Sequence, residues 1–243
     1  MEKKQSVDIV IPVYNEALEL EERIETLHRF LSTNVDTYTW NIIIADNAST
    51  DETVEKAKKL AHTLSSVAVL HLDEKGRGRA LKYAWGKSKA DIVAYMDVDL
   101  STDLQHLPHL LDSLSRGYEI GIASRNLRES RVYGRGWFRT LTSKTYIGLI
   151  KLTFFVRFSD AQCGCKVMSK KMVEELLPLI EDNEWFFDTE LLINAEKLGY
   201  RIYEEPVTWI DNPGSTVRVM KTITGDLKGL WRLWTQKPWK RSK

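Results

Sequence analysis

The chain has 243 residues, of which 43% are hydrophobic and 28% charged, and its net charge is +1. These proportions are ordinary for a soluble globular protein and exclude the disordered, collagen-like and disulfide-scaffold classes. A chain of this length is expected to bury one sizeable core in a single domain.

Strands and helices alternate along the first hundred residues. A β-rich run at 7–12 ends at a proline, and apolar residues between 20 and 31 then recur at helical spacing. Further strands are predicted at 40–45, 67–70 and 91–96, with a helix in each interval. Because this alternation requires parallel crossovers, the first half is predicted to form a doubly wound α/β sheet.

The loops that follow these strands are the expected place for function, because ligands of such sheets bind at the carboxyl ends of the strands. The loops begin at Pro12, Asp46 and Asp97. Within the second loop, Ser49 with Glu52 predicts a capping box at the start of the next helix.

Two carboxylates follow the fourth predicted strand, in the segment Asp97-Val98-Asp99. Strand geometry puts both carboxylates on one side and turns Val98 back to the core. Two oxygen ligands so placed can hold Mg²⁺ or Mn²⁺ and leave positions open for diphosphate oxygens, whose charge the metal would neutralise. For a D-x-D segment taken alone, the alternative is a solvated loop that caps a helix.

The D-x-D segment stands third in an ordered series of motifs. Residues 12–16 (PVYNE) follow the first strand, and residues 45–51 (ADNASTD) follow the second. In this order and at these intervals the sequence resembles the family-2 glycosyltransferases of the GT-A fold, whose motifs are P-x-Y-N-E, D-[DN]-x-S-x-D and D-x-D. The resemblance implies an α/β fold with a GT-A, Rossmann-like, mostly parallel sheet flanked by helices.

The same resemblance implies a nucleoside pocket lined by Pro12, Tyr14, Glu16 and Asp46. The chemistry agrees, because an aromatic ring offers a stacking face and a carboxylate accepts base N–H or ribose hydroxyl groups. The alternatives are a helix lead-in for the first loop and a turn residue for Asp46. Asn47 departs from the pattern, since many relatives carry a second acid there.

A basic glycine-rich turn, Lys75-Gly76-Arg77-Gly78-Arg79, precedes the third predicted helix. Its glycines let backbone N–H groups approach a phosphate and its cations add attraction, so Lys75 is assigned to donor binding. The alternative is a flexible basic turn that caps the helix.

Two arginines and a serine follow the predicted strand at 119–123. Arg125 comes directly after the strand, Arg139 fourteen residues later, and Ser143 beyond it. This spacing resembles that of the polyprenyl-phosphate (dolichyl-phosphate) hexose synthases, and it implies that the three residues hold the acceptor phosphate, a group that suits the planar arginine fork. The alternative is a solvated basic loop, and we assign three further arginines to it: Arg128, Arg131 and Arg135.

Two later segments resemble the dolichyl-phosphate glucose synthases in particular. Residues 160–166 match D-x-Q-C-G-x-K, and residues 185–191 match W-x-F-D-x-E-L. The resemblance implies that Gln162 binds the donor sugar and that Asp188 is catalytic, either on sugar hydroxyls or at the reacting centre. The alternatives are a polar strand residue and a helix N-cap. Trp185 and Phe186 are assigned to the core, and the alternative is an aromatic platform for the sugar.

Cys163 and Cys165 are predicted to be packed free thiols. Side chains two apart on a strand lie about 6.6 Å apart, too far for an easy disulfide, and a structural zinc site would need a second pair. Free thiols, with no apolar signal region near Met1, predict a cytoplasmic protein. The apolar stretch at 146–158 is shorter than the ~20 residues of a membrane span.

The end of the chain is basic. Residues 218–243 hold eight basic residues and one acid, Asp226, so this stretch carries +7 and the preceding 217 residues carry −6. Tryptophans and lysines around an apolar helical stripe predict an amphipathic helix on an anionic membrane surface. The chain is therefore divided into a GT-A domain at 1–217 and an interfacial tail at 218–243, and the alternative is a stripe that packs on the body. The stripe consists of Met220, Ile223, Leu227, Leu230, Trp231 and Trp234.

The resemblance as a whole implies inverting transfer of a hexose, with UDP-glucose the favoured donor, to a polyprenyl phosphate, with Mg²⁺ or Mn²⁺ as cofactor. The expected partners are the nucleotide sugar, the lipid phosphate and an anionic membrane surface, with no nucleic acid, and the expected location is the cytoplasmic membrane face. One alternative is transfer to a soluble or polysaccharide hydroxyl, with Asp188 as base. Another is a nucleotide-sugar-binding module active only with a membrane partner. A nucleotidyltransferase would need a glycine-rich, lysine-bearing loop after the first strand, which residues 12–15 do not supply.

Overall fold

The computed structural model describes residues 4–211 and 219–240, and it describes the side chains of α8 from Ile223 onward. The strands are β1 (Ser6–Val13), β2 (Thr39–Asn47), β3 (Val67–Leu72), β4 (Ile92–Met96), β5 (Ile120–Ser124), β6 (Arg131–Tyr133), β7 (Cys165–Ser169), β8 (Ile202–Pro206) and β9 (Thr208–Ile210). The helices are α1 (Leu20–Asn34), α2 (Thr53–Thr63), α3 (Arg77–Lys87), α4 (His106–Ser115), α5 (Trp137–Phe154), α6 (Lys170–Leu176), α7 (Phe187–Leu198) and α8 (Val219–Gln236).

A seven-stranded sheet forms the centre of the molecule, with the strand order β3-β2-β1-β4-β7-β5-β8. The pairs among β1, β2, β3 and β4 are parallel, as is the pair of β5 with β8, whereas β7 runs antiparallel between β4 and β5. The predicted α/β fold with a mostly parallel sheet is therefore confirmed. A separate two-stranded sheet pairs β6 with β9.

Two hydrophobic cores lie on opposite faces of this sheet. Alternate residues of β1 enter different cores, because successive side chains of a strand point to opposite faces. The buried stripe of α1, which contains Leu20, Ile24, Leu27 and Leu31, packs into one core with α2 and α4. The other core lies between the sheet and α3, α5 and α7. Helices on both faces explain why the strands contain continuous apolar runs.

The predicted capping box of α2 is wrong. The cap position is Glu52, and its side chain makes no capping hydrogen bond. Instead the Asp51 carboxylate accepts the Thr53 amide at 3.0 Å, while Ser49 Oγ accepts the Asn15 amide at 2.9 Å. The serine is thus used to join two loops, a requirement of tertiary structure that the local S-x-x-E pattern does not contain.

Helix α8 both packs on the body and exposes apolar surface. Leu230 and Leu233 are buried in the core, and a Cβ at Gly229 would overlap the ring of Phe186. Leu227, Trp231 and Trp234 of the predicted stripe are 50%, 67% and 48% exposed. The Met220 side chain and the 217/218 boundary lie outside the described residues. Among residues 4–211 and 219–240, no helix is both long and apolar enough to cross a membrane.

Candidate active site

The loops after β1 and β2 are joined to each other at the carboxyl edge of the sheet. Asn15 Oδ1 accepts the Thr50 amide at 2.8 Å, and the Asn15 amide donates to Ser49 Oγ. Asn15 has a left-handed backbone, with φ of 56°, a conformation that asparagine tolerates better than most residues. Glu16 is held to the start of α2, because its amide donates to Thr53 Oγ1 at 2.8 Å. The P-x-Y-N-E segment and the D-N-A-S-T-D segment therefore form one rigid wall of a cleft.

Asp46 carries an oxygen that lacks a partner. Its carboxylate is fully buried, and Oδ2 lies 2.7 Å from His71 Nδ1 and accepts the Ser49 amide at 3.3 Å. Oδ1 is buried and has no hydrogen-bond partner among the described residues. Buried carboxylate oxygens are normally satisfied, so this atom is suited to accept an N–H group from a bound base. His71 was missed in the sequence, although its position at the end of β3 puts it at the ligand-binding edge.

Tyr14 and Lys75, both assigned to the donor from the sequence, lie together. The Lys75 ammonium stands 3.2 Å from the centroid of the Tyr14 ring, a cation–π contact. Asn47 holds the two segments that carry Tyr14 and Lys75 together. Its side chain donates to the Val13 carbonyl at 2.6 Å and accepts the Gly76 amide at 3.1 Å. Pro12, in contrast, is buried within β1 opposite Ala45, so it shapes the wall without exposing surface.

Carboxylates outnumber cations where β4 ends. Val98 packs on the core, and Asp97 and Asp99 flank it. Burial, followed by the charge of Asp97, raises the pKa of Asp99. Burial, followed by Glu19 and Asp99, raises the pKa of Glu16 to about 7. Arg77 lies 2.7 Å from Asp97. Among the described residues it is the one cation within ion-pair distance of Glu16, Asp97 or Asp99. A divalent cation with oxygen ligands fits this excess of negative charge.

Asp188 lies beneath the cleft rather than open to it. It is 2% exposed, and its Oδ2 accepts from Arg77 at 2.6 Å. Its Oδ1 accepts from the Tyr95 hydroxyl at 2.5 Å and lies 2.9 Å from the Lys166 ammonium. Although burial opposes ionisation, Lys166 and Arg77 lower the pKa of Asp188. The helix-cap alternative is wrong, because the cap of α7 is Phe186 and Asp188 stands in the first turn.

Arg77 thus joins the D-x-D segment to this buried network. Its guanidinium contacts Asp97 and Asp188, which follow it in the sequence by 20 and 111 residues. The sequence suggested Arg77 as one cation of a phosphate-binding turn, and the structure places it as a buried link between two aspartates. No local pattern contains this pairing, so the sequence could not have revealed it.

The 160–166 segment runs between the acid cluster and the arginines. Gly164 leaves room for the Asp97 carboxylate, since a Cβ at this position would overlap it. Gln162 donates from Nε2 to Asp226 on α8 at 3.0 Å, a contact that the sequence did not predict. Cys163 and Cys165 are buried free thiols, as predicted, and burial raises the pKa of Cys163 to about 11. Of the two aromatic residues assigned to the core, Phe186 is buried and Trp185 is 39% exposed.

The two arginines assigned to the acceptor each face an aspartate. Arg125 binds Asp160 with two nitrogens, at 2.8 and 2.9 Å, and is largely buried. Arg139, in the first turn of α5, contacts both oxygens of Asp211 at 2.8 Å and is 43% exposed. Ser143 lies one turn further along the same helix. The charge of each arginine is therefore partly balanced by its aspartate.

Comparison with known proteins agrees with this geometry. Residues 8–177 match the family model described as glycosyl transferase family 2. The glycosyltransferase AglD of Haloferax volcanii is 35% identical over 236 residues, which cover 95% of this chain and 37% of that protein. The dolichyl-phosphate beta-glucosyltransferase of Drosophila melanogaster is 27% identical over 243 residues, which cover 95% of this chain and 74% of that protein. The chain thus spans little more than a third of the Haloferax relative.

Solved structures share the fold. The glucosyl-3-phosphoglycerate synthase of Mycobacterium tuberculosis, crystallised with Mn²⁺, UDP-glucose and phosphoglyceric acid, superposes with a TM-score of 0.70 at 16% identity, covering 95% of this chain and 79% of that one. This likeness supports the GT-A-like architecture expected from the motifs. The family match covers the loops after β1, β2 and β4, in which the cleft is built. The chain therefore belongs to glycosyl transferase family 2.

Proposed function

We propose that the chain transfers a hexose, with UDP-glucose the favoured donor, to a polyprenyl phosphate and inverts the anomeric configuration. The observation that carries this proposal is the position of the 160–164 segment, which contacts both the acidic residues after β4 and the arginines assigned to the acceptor. Asp160 holds Arg125 at one end, and Gly164 lies against Asp97 at the other. A diphosphate leaving group with its metal and a phosphate nucleophile would therefore face a single centre between them.

The donor side is supported by the wall of the cleft. Asp46 Oδ1 would accept a base N–H group, and the Tyr14–Lys75 pair would contact the nucleotide. Asp97 and Asp99 would hold Mg²⁺ or Mn²⁺, which, when bound, neutralises charge on the departing diphosphate. Mycobacterial relatives of the same fold were crystallised with Mn²⁺ and UDP-glucose or with Mg²⁺ and UDP. Gln162, oriented by Asp226, would contact the sugar.

The acceptor side explains why no general base is needed. A phosphate monoester has a second pKa near 6 and is largely dianionic at neutral pH, so its oxygen is already a nucleophile. The acceptor oxygen would form a bond to the anomeric carbon as the bond to the diphosphate breaks, giving a β-linked product and UDP. Both oxygens of Asp188 are occupied by cations or the Tyr95 hydroxyl, which argues against its acting as a base. A catalytic role for Asp188 would then be exerted through Arg77, as a positioning residue.

A membrane-facing surface is proposed beside the acceptor arginines. Trp137, Phe138 and Leu152 of α5 are 77%, 56% and 75% exposed, and α8 lies against α5 with Trp231 and Trp234 exposed. We call this surface, formed by the exposed apolar residues of α5 and α8, the α5–α8 face. Exposed lysines on both helices would add attraction to anionic lipids, which are abundant in the cytoplasmic leaflet. The tail at 218–243 would then act as an interfacial helix docked on the 1–217 domain.

A donor panel tests the proposal. The protein is incubated with polyprenyl phosphate, Mg²⁺ or Mn²⁺, and UDP-glucose, UDP-N-acetylglucosamine, UDP-galactose or GDP-mannose in turn. We expect the highest kcat/KM with UDP-glucose, because both the Gln162 and the Asp188 segments resemble the glucose synthases. A strong preference for GDP-mannose would show that these segments do not determine the sugar. Transfer to a soluble hydroxyl without lipid would select the alternative acceptor class.

A further inference from the structure

Arg135 differs from the two arginines assigned to the acceptor, because the described residues give it no ion pair. Arg135 lies between Arg125 and Arg139 in sequence and, unlike them, makes no ion pair within the described part of the chain. Residues 212–218, which follow Asp211 and lie outside the described residues, include no acidic residue. Arg125, Arg135 and Arg139 thus lie near two aspartates, and within the described residues Arg135 is the member of these three without an ion pair.

The surroundings of Arg135 destabilise its charged guanidinium when no anion is bound. Its Nε atom is buried and has no hydrogen-bond partner among the residues described. Its guanidinium lies 5.9 Å from the Trp209 ring, and the guanidinium of Arg125 lies 5.6 Å from the same ring. Burial, followed by repulsion from Arg125, lowers the pKa of Arg135 to about 10. A half-buried cation held beside a second cation is a typical feature of an anion-binding site, where stability is traded for ligand affinity.

The surrounding backbone favours an anion at the same point. Arg135 immediately precedes Gly136, the N-cap of the 18-residue helix α5, so the positive end of the helix dipole lies next to its side chain's point of attachment. Arg139 follows in the first turn of the helix. An anion that contacts Arg139 and the start of α5 would therefore find in Arg135 a guanidinium with unused donors.

We propose that Arg135 is a direct ligand of the acceptor's phosphate monoester and supplies the charge that Arg125 and Arg139 have already shared with their aspartates. The inference rests on the proposed function for the identity of the acceptor. The phosphate chemistry itself is common to a lipid phosphate and a free phosphate. Arg125 and Arg139, which Asp160 and Asp211 hold in place, then contribute charge that is partly balanced, and Arg135 adds a further guanidinium to the anion.

Calorimetric binding, without turnover, tests the role of Arg135. Arg135→Gln and Arg135→Lys are compared with Arg128→Gln, which removes the same charge from an exposed position in the loop between β5 and β6. The ligands are a short-chain isoprenyl phosphate, inorganic phosphate and UDP with Mg²⁺. We expect Arg135→Gln to weaken isoprenyl phosphate binding about tenfold or more, Arg135→Lys to weaken it less, and Arg128→Gln to leave it unchanged. UDP affinity should be the same in all variants.

Thermal unfolding separates a ligand role from a structural one. Because the buried Nε has no partner, Arg135→Gln should leave the Tm of the unliganded protein unchanged or raise it, whereas a structural arginine would lower it. Equal isoprenyl phosphate affinity in Arg135→Gln and Arg128→Gln would overturn the proposal, as would a lowered Tm with parallel loss of UDP binding.

Comparing the ligands separates a failure of the Arg135 proposal from a failure of the proposed function. If inorganic phosphate depends on Arg135 as strongly as isoprenyl phosphate does, the anion site stands and its lipid specificity falls. If lipid transfer proceeds equally well in Arg135→Gln, the proposed function stands and the role of Arg135 is wrong.

Discussion

Single side chains in the cleft are held by partners distant in sequence. Arg77 reaches Asp188 across 111 residues, and Arg139 reaches Asp211 across 72. The sequence predicted that these residue types would gather at the strand ends, because parallel strands end at a common edge. It could not predict the pairings, since the choice of partner depends on how β7 and α7 are placed. The sequence therefore showed neither the contact of Asp188 with Arg77 nor the burial of the Arg135 Nε atom.

The first residue-scale prediction concerns the metal. Asp99→Asn should lower turnover by about two orders of magnitude or more, because the variant loses a carboxylate that holds the cation. The cation in turn stabilises the leaving diphosphate. Steady-state rates with Mg²⁺ measure this, and Asp36→Asn, an exposed aspartate on a turn, is the control. Full activity of the unaltered protein in excess chelator would show that the reaction needs no divalent cation.

The second residue-scale prediction concerns Arg139. Arg139→Ala should raise the KM for lipid phosphate about tenfold, because it removes a cation and leaves Asp211 facing the acceptor unpaired. Arg125→Ala should act in the same direction, with an added loss of Tm, since Asp160 would remain buried and uncompensated. Nucleotide affinity, measured by calorimetry, should stay nearly constant. Loss of UDP binding with unchanged acceptor KM would show that these arginines serve the donor.

At the scale of the elements, α8 has two faces with different tasks. Leu230, Leu233 and Asp226 face the body, while Trp231 and Trp234 face outward with ring centroids 5.6 Å apart. The helical stripe was readable from the sequence, because its spacing is periodic. The sequence did not show which residues of the stripe enter the core and which stay on the surface, because this depends on where Gly229 packs against Phe186. Deleting the helix would therefore expose core, and point changes are the cleaner test.

Asp226 makes the docking of α8 dependent on pH. Burial raises its pKa to about 7, with Asp182 and Asp188 adding repulsion and Gln162 and Tyr146 opposing the shift. Because the folded protein holds this proton more tightly than the unfolded chain, the contribution of Asp226 to stability is lost as the pH rises from about 4 through 7. Asp226→Asn should raise the Tm relative to the unaltered protein at pH 8 and raise it by a smaller amount at pH 5. An equal effect at both values would contradict this assignment.

The outward face of α8 is tested on vesicles. Replacing Trp231 and Trp234 together with alanine should weaken co-sedimentation with anionic vesicles about tenfold or more, because two large apolar side chains no longer enter the interface. Replacing Tyr83, an exposed aromatic residue on α3, with alanine provides the control. UDP binding should be unaffected in both variants. Unchanged sedimentation of the double variant would shift the contact to the exposed residues of α5.

At the scale of the whole molecule, the two halves of the chain differ in how much the sequence reveals. The four parallel strands and their loops follow from periodicity and from motifs at the strand ends, and the structure confirms them. The antiparallel insertion of β7 between β4 and β5 depends on long-range pairing, for which no local signal exists. That insertion brings the 160–164 segment between the acid cluster and the arginines, so it also builds the centre in which donor and acceptor are proposed to meet.

The transfer itself is tested most directly by following labelled glucose from UDP-glucose into the lipid phase. The protein, polyprenyl phosphate and Mg²⁺ are incubated with the labelled donor, and the organic extract is counted and its sugar–phosphate linkage determined by NMR. We expect lipid-extractable label in a β-linked glucosyl phosphate, formed only when lipid phosphate, divalent cation and protein are all present. Label that remains in the aqueous phase under every condition, or an α-linked product, would contradict it.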